Sequence, residues 1–227
     1  MNIVIAVDGP SGSGKSTVSR MVARQLAISY VDTGAMYRAA AWWAQHQGID
    51  LHNSDAVTQA VRDMPLVMPV DPNNQTIVVA DHDVTSALRT SEISTVVSLV
   101  ATNLDVREEL VRRQQQIIAD QRAAGQGVIA EGRDITTVVA PDADVRVLLT
   151  ASEAERIRRR TLEIRGRDDE QAMAETAAEV VGRDEKDSTV LDFMNAGEGV
   201  HLIDSSAMTI LEVVSAIVEL ARKASHE

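Results

Sequence analysis

The sequence predicts an α/β fold with a doubly wound parallel sheet of five strands, and three observations support this class. Short apolar runs alternate with longer segments of helical periodicity, which is the order of elements in parallel sheets. The first run, residues 3–7, contains no polar side chain, as expected for a strand that is buried on both faces. A glycine-rich segment follows that run and opens a helix, which favours a ligand site at the carboxyl end of the strand.

The elements of the main sheet follow from apolar runs and helix-start signals. The predicted strands are short and apolar, and they cover residues 3–7, 29–31, 128–130, 145–149 and 200–203. The predicted helices cover residues 15–27 and 34–48, a long segment from 105 to a point before 125, and segments that open after 152 and 209. The last three start with a polar residue followed three positions later by a glutamate, the pattern of a capping box. The pairs are Asp105 with Glu108, Ser152 with Glu155, and Thr209 with Glu212.

Two stretches interrupt the alternation of strands and helices. Residues 65–90 contain apolar runs at 66–70, 76–80 and 83–87, and a Pro72-Asn73-Asn74 turn separates the first two. This pattern predicts a small antiparallel meander inserted between helices. Residues 158–183 are charged, punctuated by Gly166 and poor in large apolar side chains, which is typical of a mobile helical lid more than of a core.

Net charge and composition disfavour several classes of partner. The 227 residues carry a formal charge of −12, and an acidic surface repels both nucleic acids and anionic membranes. No apolar run is long enough to span a bilayer, and the first apolar run has no basic segment ahead of it. The chain contains no cysteine, so it has no disulfide and no thiolate metal site. We expect a cytoplasmic monomer that binds small molecules, with no nucleic acid or membrane partner.

The glycine-rich segment after the first strand matches the pattern G-x-x-x-x-G-K-[ST] at every fixed position. Its glycines let backbone N–H groups turn toward phosphate oxygens, and the following helix presents its positive end. Lys15 is positioned to reach the β- and γ-phosphates of a nucleoside triphosphate, and the Ser16 hydroxyl can bind Mg²⁺. The predicted ATP-binding residues of this loop are Gly9, Pro10, Ser11, Gly12, Ser13, Gly14, Lys15, Ser16 and Thr17.

A phosphate-binding loop alone leaves several functions open, because GTPases, ATPases and small-molecule kinases all contain one. The guanine-reading motif N-K-x-D is absent from the sequence, which disfavours a GTPase. The segment 32–38, Asp-Thr-Gly-Ala-Met-Tyr-Arg, follows the second predicted strand and enters a helix. Arg38 would project near the carboxyl edge of the sheet, where it could hold the phosphate of an acceptor. It could equally be a surface arginine at a strand–helix junction.

Five segments together resemble the bacterial cytidylate kinase family. They are GPSGSGKST at 9–17, DTGAMYR at 32–38, the stretch from LRTSEIS to VREELVRRQ, EGRD at 131–134 and RDEKDST at 183–189. They occur in the family's order over nearly the whole chain. The resemblance implies a P-loop kinase fold with a core of residues 1–37, 103–157 and 184–227. It also implies a lid at 158–183 and a region at 38–102 that binds the nucleoside monophosphate (NMP) and holds the small antiparallel sheet.

The resemblance further implies phosphoryl transfer from MgATP to CMP or dCMP, giving ADP and CDP or dCDP. Asp134 and Arg107 occupy the family's positions for reading cytosine. A carboxylate accepts a hydrogen bond from the N4 amino group of this base, while an arginine donates to its N3 and O2 atoms. The other implied CMP-binding residues are Thr33 near the base, Ser98 and Asp187 at the pentose, and Arg38, Arg133 and Arg183 at the acceptor phosphate.

Three arginines at i, i+3 and i+4 give one helical face the side chains of Arg156, Arg159 and Arg160. By resemblance they border the ATP side of the lid and could neutralise charge on the transferred phosphoryl group; the alternative is a charged surface face. Phosphoryl transfer needs positioning more than covalent chemistry, so we expect direct in-line transfer without a phosphoenzyme. The predicted catalytic residues are Lys15, Arg133, Arg159 and Arg183, and Arg156 and Arg160 join the ATP-binding set.

The chain departs from the family's pattern at three positions. Thr136 stands where a glycine is usual, and Glu131 stands where an aspartate is commoner. Val190 replaces an arginine that contacts the acceptor nucleotide. Lys186, four residues earlier, could supply a charge there if the segment is helical.

Two further questions stay open at the level of sequence. Asp8 and Asp32, near the sheet edge, are candidates for holding Mg²⁺ through water. The nearest alternative function is that of a P-loop kinase acting on UMP, dTMP, shikimate or another small acceptor. A more distant alternative is a nucleotide-dependent switch module, which would hydrolyse its nucleotide slowly without an acceptor.

Overall fold

The structure, a computed structural model, describes residues 2–191 and 193–225, and Arg183 by its backbone alone. In chain order, the strands and helices are β1 (Val4–Asp8), α1 (Lys15–Leu26), β2 (Ser29–Asp32), α2 (Thr33–His46), α3 (Ser54–Arg62), β3 (Leu66–Val67), β4 (Val78–Val79), β5 (His82–Asp83), α4 (Ser91–Ala101), α5 (Leu104–Ala123), β6 (Val128–Gly132), β7 (Val145–Thr150), α6 (Glu153–Arg165), α7 (Glu170–Ser188), β8 (His201–Asp204) and α8 (Ile210–Ala224). A 3₁₀ turn (Ala87–Arg89) precedes α4, and a π-helical turn (Ile135–Val139) follows β6.

Five parallel strands form the main sheet in the order β2-β6-β1-β7-β8. The central strand is β1, and its alternate side chains pack into two cores. Ile5 and Val7 pack with α1 and α8 on one face of the sheet, whereas Val4 and Ala6 pack with α5 and the π-helical turn on the other. Burial on both faces explains the unbroken apolar run, and helices on both faces confirm the predicted doubly wound α/β fold.

Several strands extend beyond their apolar runs toward the carboxyl edge of the sheet. β1 ends at Asp8, β2 at Asp32 and β6 at Gly132, one or two residues further than the apolar runs indicate. Ladder hydrogen bonds use backbone groups, so a polar residue can complete a strand. As a result, three carboxylates, those of Asp8, Asp32 and Glu131, lie at neighbouring strand ends.

The small antiparallel sheet is present in the order β3-β4-β5, but each of its strands has only two residues. The predicted runs are too long, and the third strand lies at 82–83 instead of 83–87. The chain already turns at Ala80, which has a φ of 44°, and this turn pairs His82 with Val79. Beyond β5 the chain leaves the sheet, because Val84 and Leu88 pack into a core with α2, α4 and α5.

Helix caps match the sequence at two of three positions. Ser152 caps α6, and Thr209 caps α8 in a reciprocal capping box with Glu212. The predicted start of α5 at Asp105 is wrong. The cap is Asn103, whose side-chain oxygen accepts hydrogen bonds from the backbone N–H groups of Asp105 and Val106 at 3.1 and 3.3 Å. Asp105 lies instead in the first turn, where its charge favours the positive end of the helix dipole.

The segment interpreted as a lid is helical, as predicted, and consists of parts of α6 and α7. α6 ends at Arg165 and is capped by Gly166, whose φ of 67° is the left-handed conformation that glycine adopts without steric cost. α7 continues past the predicted limit of the lid and packs against α4 and α6. Within the described ranges, no helix combines the length and the apolar character needed to cross a bilayer.

Candidate active site

A cavity of about 230 Å³ opens at the carboxyl edge of the main sheet, beside the glycine-rich loop that joins β1 to α1. Its walls come from the strand ends, α2, the small-sheet region and α6. Most residues predicted from the sequence meet in this one cavity. Those that line it are Ser11, Gly12, Gly14, Lys15, Ser16, Thr17, Thr33, Arg38, Arg107, Arg133, Asp134, Arg160 and Asp187.

The glycine-rich loop has the conformation that its motif predicts. Gly9 has a φ of 150° and Gly12 a φ of 76°, both outside the range that other residues favour. A Cβ at Gly9 would lie 2.0 Å from the carbonyl oxygen of Leu149, and one at Gly12 would lie 2.4 Å from that of Arg156. The loop therefore packs directly on β7 and α6, and only glycine fits at these two positions.

Lys15 and Ser16 begin α1 at the mouth of the loop. The Lys15 ammonium donates a hydrogen bond to the carbonyl oxygen of Pro10 at 2.9 Å, which folds the side chain back over the loop. The Ser16 hydroxyl donates to Oε1 of Glu131 at 2.6 Å. The two side chains thus lie where a phosphate and its metal ion would be bound in a P-loop.

Glu131 is a site residue that the sequence analysis treated only as a mild departure from the family. Its carboxylate is buried and accepts hydrogen bonds from Ser16 and from the Tyr30 hydroxyl, the latter at 3.2 Å. Burial raises the pKa of Glu131 to about 7, and the negative charge of Asp32 acts in the same direction, while Lys15 opposes both. One signal could have found it: Glu131 is the first polar residue after the apolar run 128–130.

The two predicted carboxylates for magnesium are both committed to other contacts. Asp8 accepts hydrogen bonds from the backbone N–H groups of Ile135 and Thr136, at 2.9 and 2.8 Å, and from the Thr136 hydroxyl at 2.6 Å. Asp8 does not line the cavity, which argues against its predicted role. The third hydrogen bond also accounts for Thr136, because its hydroxyl helps to fix the π-helical turn. Asp32 lines the cavity but caps α2 and pairs with Arg38 at 3.0 Å.

Ser16 and Glu131 fit a magnesium ion better than Asp8 does. A hydroxyl and a carboxylate are hard oxygen ligands, and Mg²⁺ is usually bound by one or two such protein groups plus substrate phosphates. The described residues contain no cluster of three acidic or histidine side chains that would form a complete protein cage. The donor set therefore suits an ion that arrives with a nucleotide.

The two residues predicted to read a base are in direct contact. Arg107 of α5 forms an ion pair with Asp134, which follows β6, and both side chains are buried. Arg107 also donates to the carbonyl oxygen of Ala101 at 3.2 Å, and its guanidinium lies 5.6 Å from the centre of the Tyr37 ring. Burial raises the pKa of Asp134 to about 6, although Arg107 acts in the opposite direction. Thr33 lies at the same wall and donates to the carbonyl oxygen of Glu131 at 2.8 Å.

A second ion-pair network joins the end of β6 to α7. Arg133 contacts Asp184 at 2.8 Å and Asp187 at 2.7 Å, and its guanidinium lies 4.5 Å from the centre of the Phe193 ring. Asp184 also pairs with Arg156 at 2.5 Å. Asp184 was not predicted, although it lies within the segment RDEKDST that carries the resemblance. Its carboxylate holds two arginines of different elements at once.

The three arginines of α6 have different surroundings and do not share one face toward the cavity. Arg160 lines the cavity. Arg156 is buried and donates to the carbonyl oxygen of Ser11 at 3.0 Å, which excludes both a solvent-exposed face and direct access to the cavity. Arg159 donates to the carbonyl oxygens of Ser13 and Ser205 at 3.3 and 2.8 Å.

Several predicted residues lie elsewhere. Ser98 and Lys186 line a second cavity of about 260 Å³ between α4 and α7. Val190 lines the first cavity, beyond the end of α7 at Ser188, so Lys186 and Val190 do not face the same space. The side chain of Arg183 lies outside the described residues. Gly9, Pro10 and Ser13 do not line the cavity but shape the loop beside it.

Two further arginines line the first cavity and were not predicted. Arg20 comes from α1, where its helical position gives no motif signal. Arg89 ends the 3₁₀ turn after the small sheet, and its side chain is exposed. Its position within the stretch that begins LRTSEIS could have drawn attention to it. Arginines of α1 and of the 3₁₀ turn thus add positive charge to the lining of the cavity.

A phosphate loop on the central strand of a doubly wound sheet, next to an arginine-rich cavity, defines the class of P-loop kinases. Comparison of the sequence with family models agrees with this class. Residues 5–223 match the family model described as cytidylate kinase. The chain belongs to the cytidylate kinase family, which is a family of nucleoside monophosphate kinases, and the resemblance carried by the five segments is confirmed.

Individual relatives agree with the family model. A cytidylate kinase from Cutibacterium acnes is 42% identical over 220 residues, which is 96% of this chain and 95% of the relative. A bifunctional pantoate ligase/cytidylate kinase from Prochlorococcus marinus is 41% identical, and the chain spans 43% of its length. A gluconokinase from Sinorhizobium meliloti has a similar fold, with a TM-score of 0.52 at 16% identity over 99% of this chain and 95% of that one.

Proposed function

We propose that this enzyme transfers the terminal phosphoryl group of MgATP to CMP or dCMP and releases ADP and CDP or dCDP. One observation carries the proposal: Arg107 of α5 and Asp134, which follows β6, meet at the cavity beside the phosphate loop. The cytidylate kinase relatives support the choice of acceptor.

The chemistry of this pair suits cytosine and disfavours uracil. Cytosine offers an amino donor at N4 next to acceptors at N3 and O2. The Asp134 carboxylate can accept from the amino group, and Arg107 can donate to the acceptors. Uracil presents an oxygen at position 4, which would face a carboxylate and leave both groups without a hydrogen. Uracil therefore meets a repulsive contact, and does not merely lose a hydrogen bond.

The acceptor-side arginines form ion pairs with carboxylates. Arg38 contacts Asp32, and Arg133 contacts Asp184 and Asp187. We propose that the acceptor phosphate takes over part of these contacts, with Arg183 as a further contact, and that Thr33 and Asp187 contact the nucleoside. Ser98 would contact it from the second cavity, which shares Ser11 and Arg160 with the first. Each pair neutralises a buried or half-buried guanidinium, which limits the cost of burying its charge.

On the donor side, we propose that backbone N–H groups of residues 9–17 and the Lys15 ammonium hold the ATP phosphates. Arg159 lies next to the loop and Arg160 lies at the cavity wall. From there their charges can stabilise the loose transition state. Arg156 acts indirectly, because it fixes the loop at Ser11. No side chain has to become phosphorylated, since the two substrates can meet in line.

Ser16 and Glu131 would hold the magnesium ion that accompanies ATP, and when bound this ion neutralises charge on the phosphates. The Glu131 carboxylate accepts a hydrogen bond from the Ser16 hydroxyl and so orients the hydroxyl oxygen toward the loop. Tyr30 holds the same carboxylate from the other side. These contacts position the hydroxyl before any nucleotide arrives.

We further propose that residues 38–102 and 158–183 move as an NMP-binding region and a lid around a core of the remaining residues. Both segments contribute walls to the cavity, through Arg38 and Arg89 in the first and Arg160 in the second. Their closure would exclude water and limit hydrolysis of ATP. We also propose that the protein is cytoplasmic and monomeric. Sedimentation in the presence and absence of both nucleotides would test the monomeric state.

An acceptor panel tests the proposed function. ADP release should depend on CMP or dCMP and should be weak with UMP, AMP, GMP, dTMP or shikimate. Discrimination of CMP from UMP should reach roughly 10- to 100-fold in kcat/KM, as expected for one bidentate base contact. Equal rates with AMP and CMP would overturn the assignment of the acceptor, and ADP release without any acceptor would favour a nucleotide switch.

A further inference from the structure

The side chains that line the first cavity carry a surplus of positive charge, although the chain as a whole has a formal charge of −12. Seven lysine and arginine side chains and five carboxylates line this cavity, so its described lining has a net charge of +2. A phosphate monoester carries about 1.5–2 negative charges at neutral pH. The charge of the cavity is therefore opposite to that of the proposed acceptor phosphate and similar in size, which favours its entry.

Ion pairs within the lining neutralise most of these charges and leave two arginines over. Four arginines each contact a carboxylate that also lines the cavity, in the pairs Arg38–Asp32, Arg107–Asp134, Arg133–Asp187 and Arg160–Glu163. The fifth carboxylate is that of Glu131, and the positive charge of Lys15 acts on it. The remaining cations are Arg20 and Arg89, whose side chains form no ion pair or hydrogen bond with the described residues. The surplus of positive charge therefore belongs to these two arginines.

Arg89 combines an anchored backbone with an exposed side chain. It ends the 3₁₀ turn, and Leu88 before it is buried in the core shared by α2, α4 and α5. Thr90 after it caps α4, since its side chain accepts a hydrogen bond from the backbone N–H of Ile93 at 3.4 Å. Arg89 thus reaches the cavity from a fixed point of the proposed NMP-binding region.

Arg20 lies on the core side of the same cavity. Ser16, Arg20 and Arg24 are spaced at i, i+4 and i+8 on α1, so they lie on one face of the helix. Ser16 lies at the phosphate loop, whereas Arg24 donates a hydrogen bond to the carbonyl oxygen of Pro72, between β3 and β4, at 3.0 Å. Arg20 is half-buried between these two points. It is therefore placed where the core meets the NMP-binding region.

An arginine without a carboxylate partner gains more from binding phosphate than a paired one does. A paired arginine exchanges one anion for another, so its net gain is small. An unpaired arginine exchanges only water, and it forms charge-assisted hydrogen bonds to the phosphate oxygens. Paired arginines such as Arg38 and Arg133 are thus suited to orienting the phosphate, whereas unpaired ones provide net attraction.

We infer that Arg20 and Arg89 bind the phosphate of the acceptor nucleotide, Arg20 from the core and Arg89 from the NMP-binding region, and supply most of the attraction that draws it into the cavity. The inference rests on the proposed function, because it adds two contacts to the acceptor phosphate. All nucleoside monophosphates carry this phosphate, so the two arginines raise affinity without selecting the base. Selection of the base stays with Arg107 and Asp134.

Arg20→Ala and Arg89→Ala test this role, and Arg62→Ala is the matched control. Arg62 is an exposed arginine of α3 that lines neither of the two cavities, so its loss changes the net charge equally. Arg20→Lys and Arg89→Lys keep the charge without the guanidinium fork and should recover part of the affinity. For each protein, kcat and KM are measured with CMP, UMP and ATP, together with the melting temperature.

Each alanine variant should raise KM for CMP roughly tenfold, as expected for the loss of one charge-assisted contact. The value of kcat/KM should fall by the same factor for CMP and UMP, because both acceptors carry the same phosphate. KM for ATP should stay within about twofold of the wild-type value. The melting temperature should not fall, because neither side chain has an ion pair to lose. The loss in affinity should shrink at high salt, which screens the attraction.

Several outcomes would overturn the inference. A KM for CMP that matches the Arg62→Ala control would exclude the substituted arginine from the phosphate site. A changed CMP-over-UMP ratio would indicate a contact with the base, and a higher KM for ATP alone would assign the arginine to the donor phosphates. If an alanine variant does not fold, the glutamine variant replaces it, since it keeps a long polar side chain without the charge. A wild-type enzyme that does not prefer CMP contradicts the proposed function itself, so the two failures are distinguishable.

Discussion

At the scale of single residues, the site is built from charges that pair with each other. The ion pairs Arg38–Asp32, Arg107–Asp134 and Arg133–Asp184 hold three arginines in place. A buried charge without a partner is much more costly than one in a pair, so these carboxylates allow the arginines to line the cavity. The carboxylates also make the site sensitive to pH, because burial raises the pKa of two of its members, Glu131 and Asp134.

The raised pKa of Asp134 leads to a prediction about specificity. Below about pH 6 the Asp134 carboxyl group of the unliganded enzyme is protonated, so it can donate a hydrogen bond as well as accept one. It could then donate to O4 of uracil, so the CMP-over-UMP ratio in kcat/KM should fall as the pH is lowered through about 6. The measurement is this ratio from pH 5 to 8, since kcat/KM reports the free enzyme.

The CMP-over-UMP ratio in kcat/KM includes a control for titration of the substrate. Both acceptors carry the same phosphate, so titration of that phosphate cancels when UMP is compared with CMP. Asp134→Asn should abolish the pH step and lower the ratio at pH 8. A step of unchanged size in Asp134→Asn would show that another group titrates.

The charge on Glu131 should lower the stability of the enzyme but support its activity. Its pKa is about 7 in the folded enzyme, compared with an ordinary value of 4.5, so the folded state binds its proton more tightly than the unfolded state does. Its contribution to stability is therefore present at low pH and is lost as the pH rises from about 4.5 through 7. Glu131→Gln removes this loss and should raise the melting temperature at pH 8 but not at pH 4.5.

The same substitution should weaken catalysis. A neutral amide orients Ser16 less well and adds no charge beside the magnesium ion, so activity at limiting Mg²⁺ should fall roughly 10- to 100-fold. Glu131→Asp, which keeps the charge on a shorter side chain, is the control and should recover part of the activity. Wild-type Mg²⁺ dependence in Glu131→Gln would exclude Glu131 from the metal site.

At the scale of secondary structure, α5 matters most, since it carries Arg107 of the ion pair with Asp134. Its cap, Asn103, does more than start the helix. The amide nitrogen of Asn103 donates to the Ser54 hydroxyl at 2.9 Å and to the Thr58 hydroxyl at 3.1 Å, so one side chain joins α5 to α3. The stability of this junction depends on a residue that the sequence pattern did not identify as a cap.

Asn103→Ala should therefore destabilise the protein by about 1–2 kcal/mol, the upper part of the range for a lost helix cap. Asp105→Ala is the matched control on the same turn. It loses only a charge near the helix start and should cost about 0.3–1 kcal/mol. Urea unfolding measures both. A larger loss in Asp105→Ala than in Asn103→Ala would support the capping box predicted from the sequence.

At the scale of the whole molecule, Asp184 links three parts of the enzyme. Its carboxylate accepts a hydrogen bond from the backbone N–H of Ser11 at 3.3 Å in the phosphate loop, and it pairs with Arg156 of α6 and with Arg133 after β6. The donor and acceptor sides of the cavity are therefore joined through one residue of α7. A change at this residue should affect both nucleotides.

Asp184→Ala should cost about 3–5 kcal/mol of stability, because it leaves the buried Arg156 and the half-buried Arg133 with one partner fewer. Asp184→Asn keeps the shape and removes the charge, so it should fold better while raising KM for both ATP and CMP. Glu185→Ala, at the exposed neighbouring position, is the control and should behave as wild type. An increase in KM for only one nucleotide would contradict the proposed link.

The sequence by itself determined the features that depend on neighbouring residues. The apolar run of β1, the phosphate loop and the caps at Ser152 and Thr209 each involve groups within a few positions of one another, so spacing alone predicts them. The sheet follows from the alternation of these elements. The family resemblance predicted that Arg107 and Asp134 read the same base, and in the structure the two residues are in contact.

Only the tertiary structure decided how distant groups are paired. Ser16 and Glu131 are 115 residues apart, and they meet because β6 lies next to β1 in the sheet. Asp184 reaches the phosphate loop from 173 residues away, which no local pattern encodes. Even the cap of α5 was decided in this way, since contacts with α3 accompany Asn103 at the helix start. Local preferences differ by only about 1 kcal/mol, whereas buried contacts between distant elements contribute more and select among them.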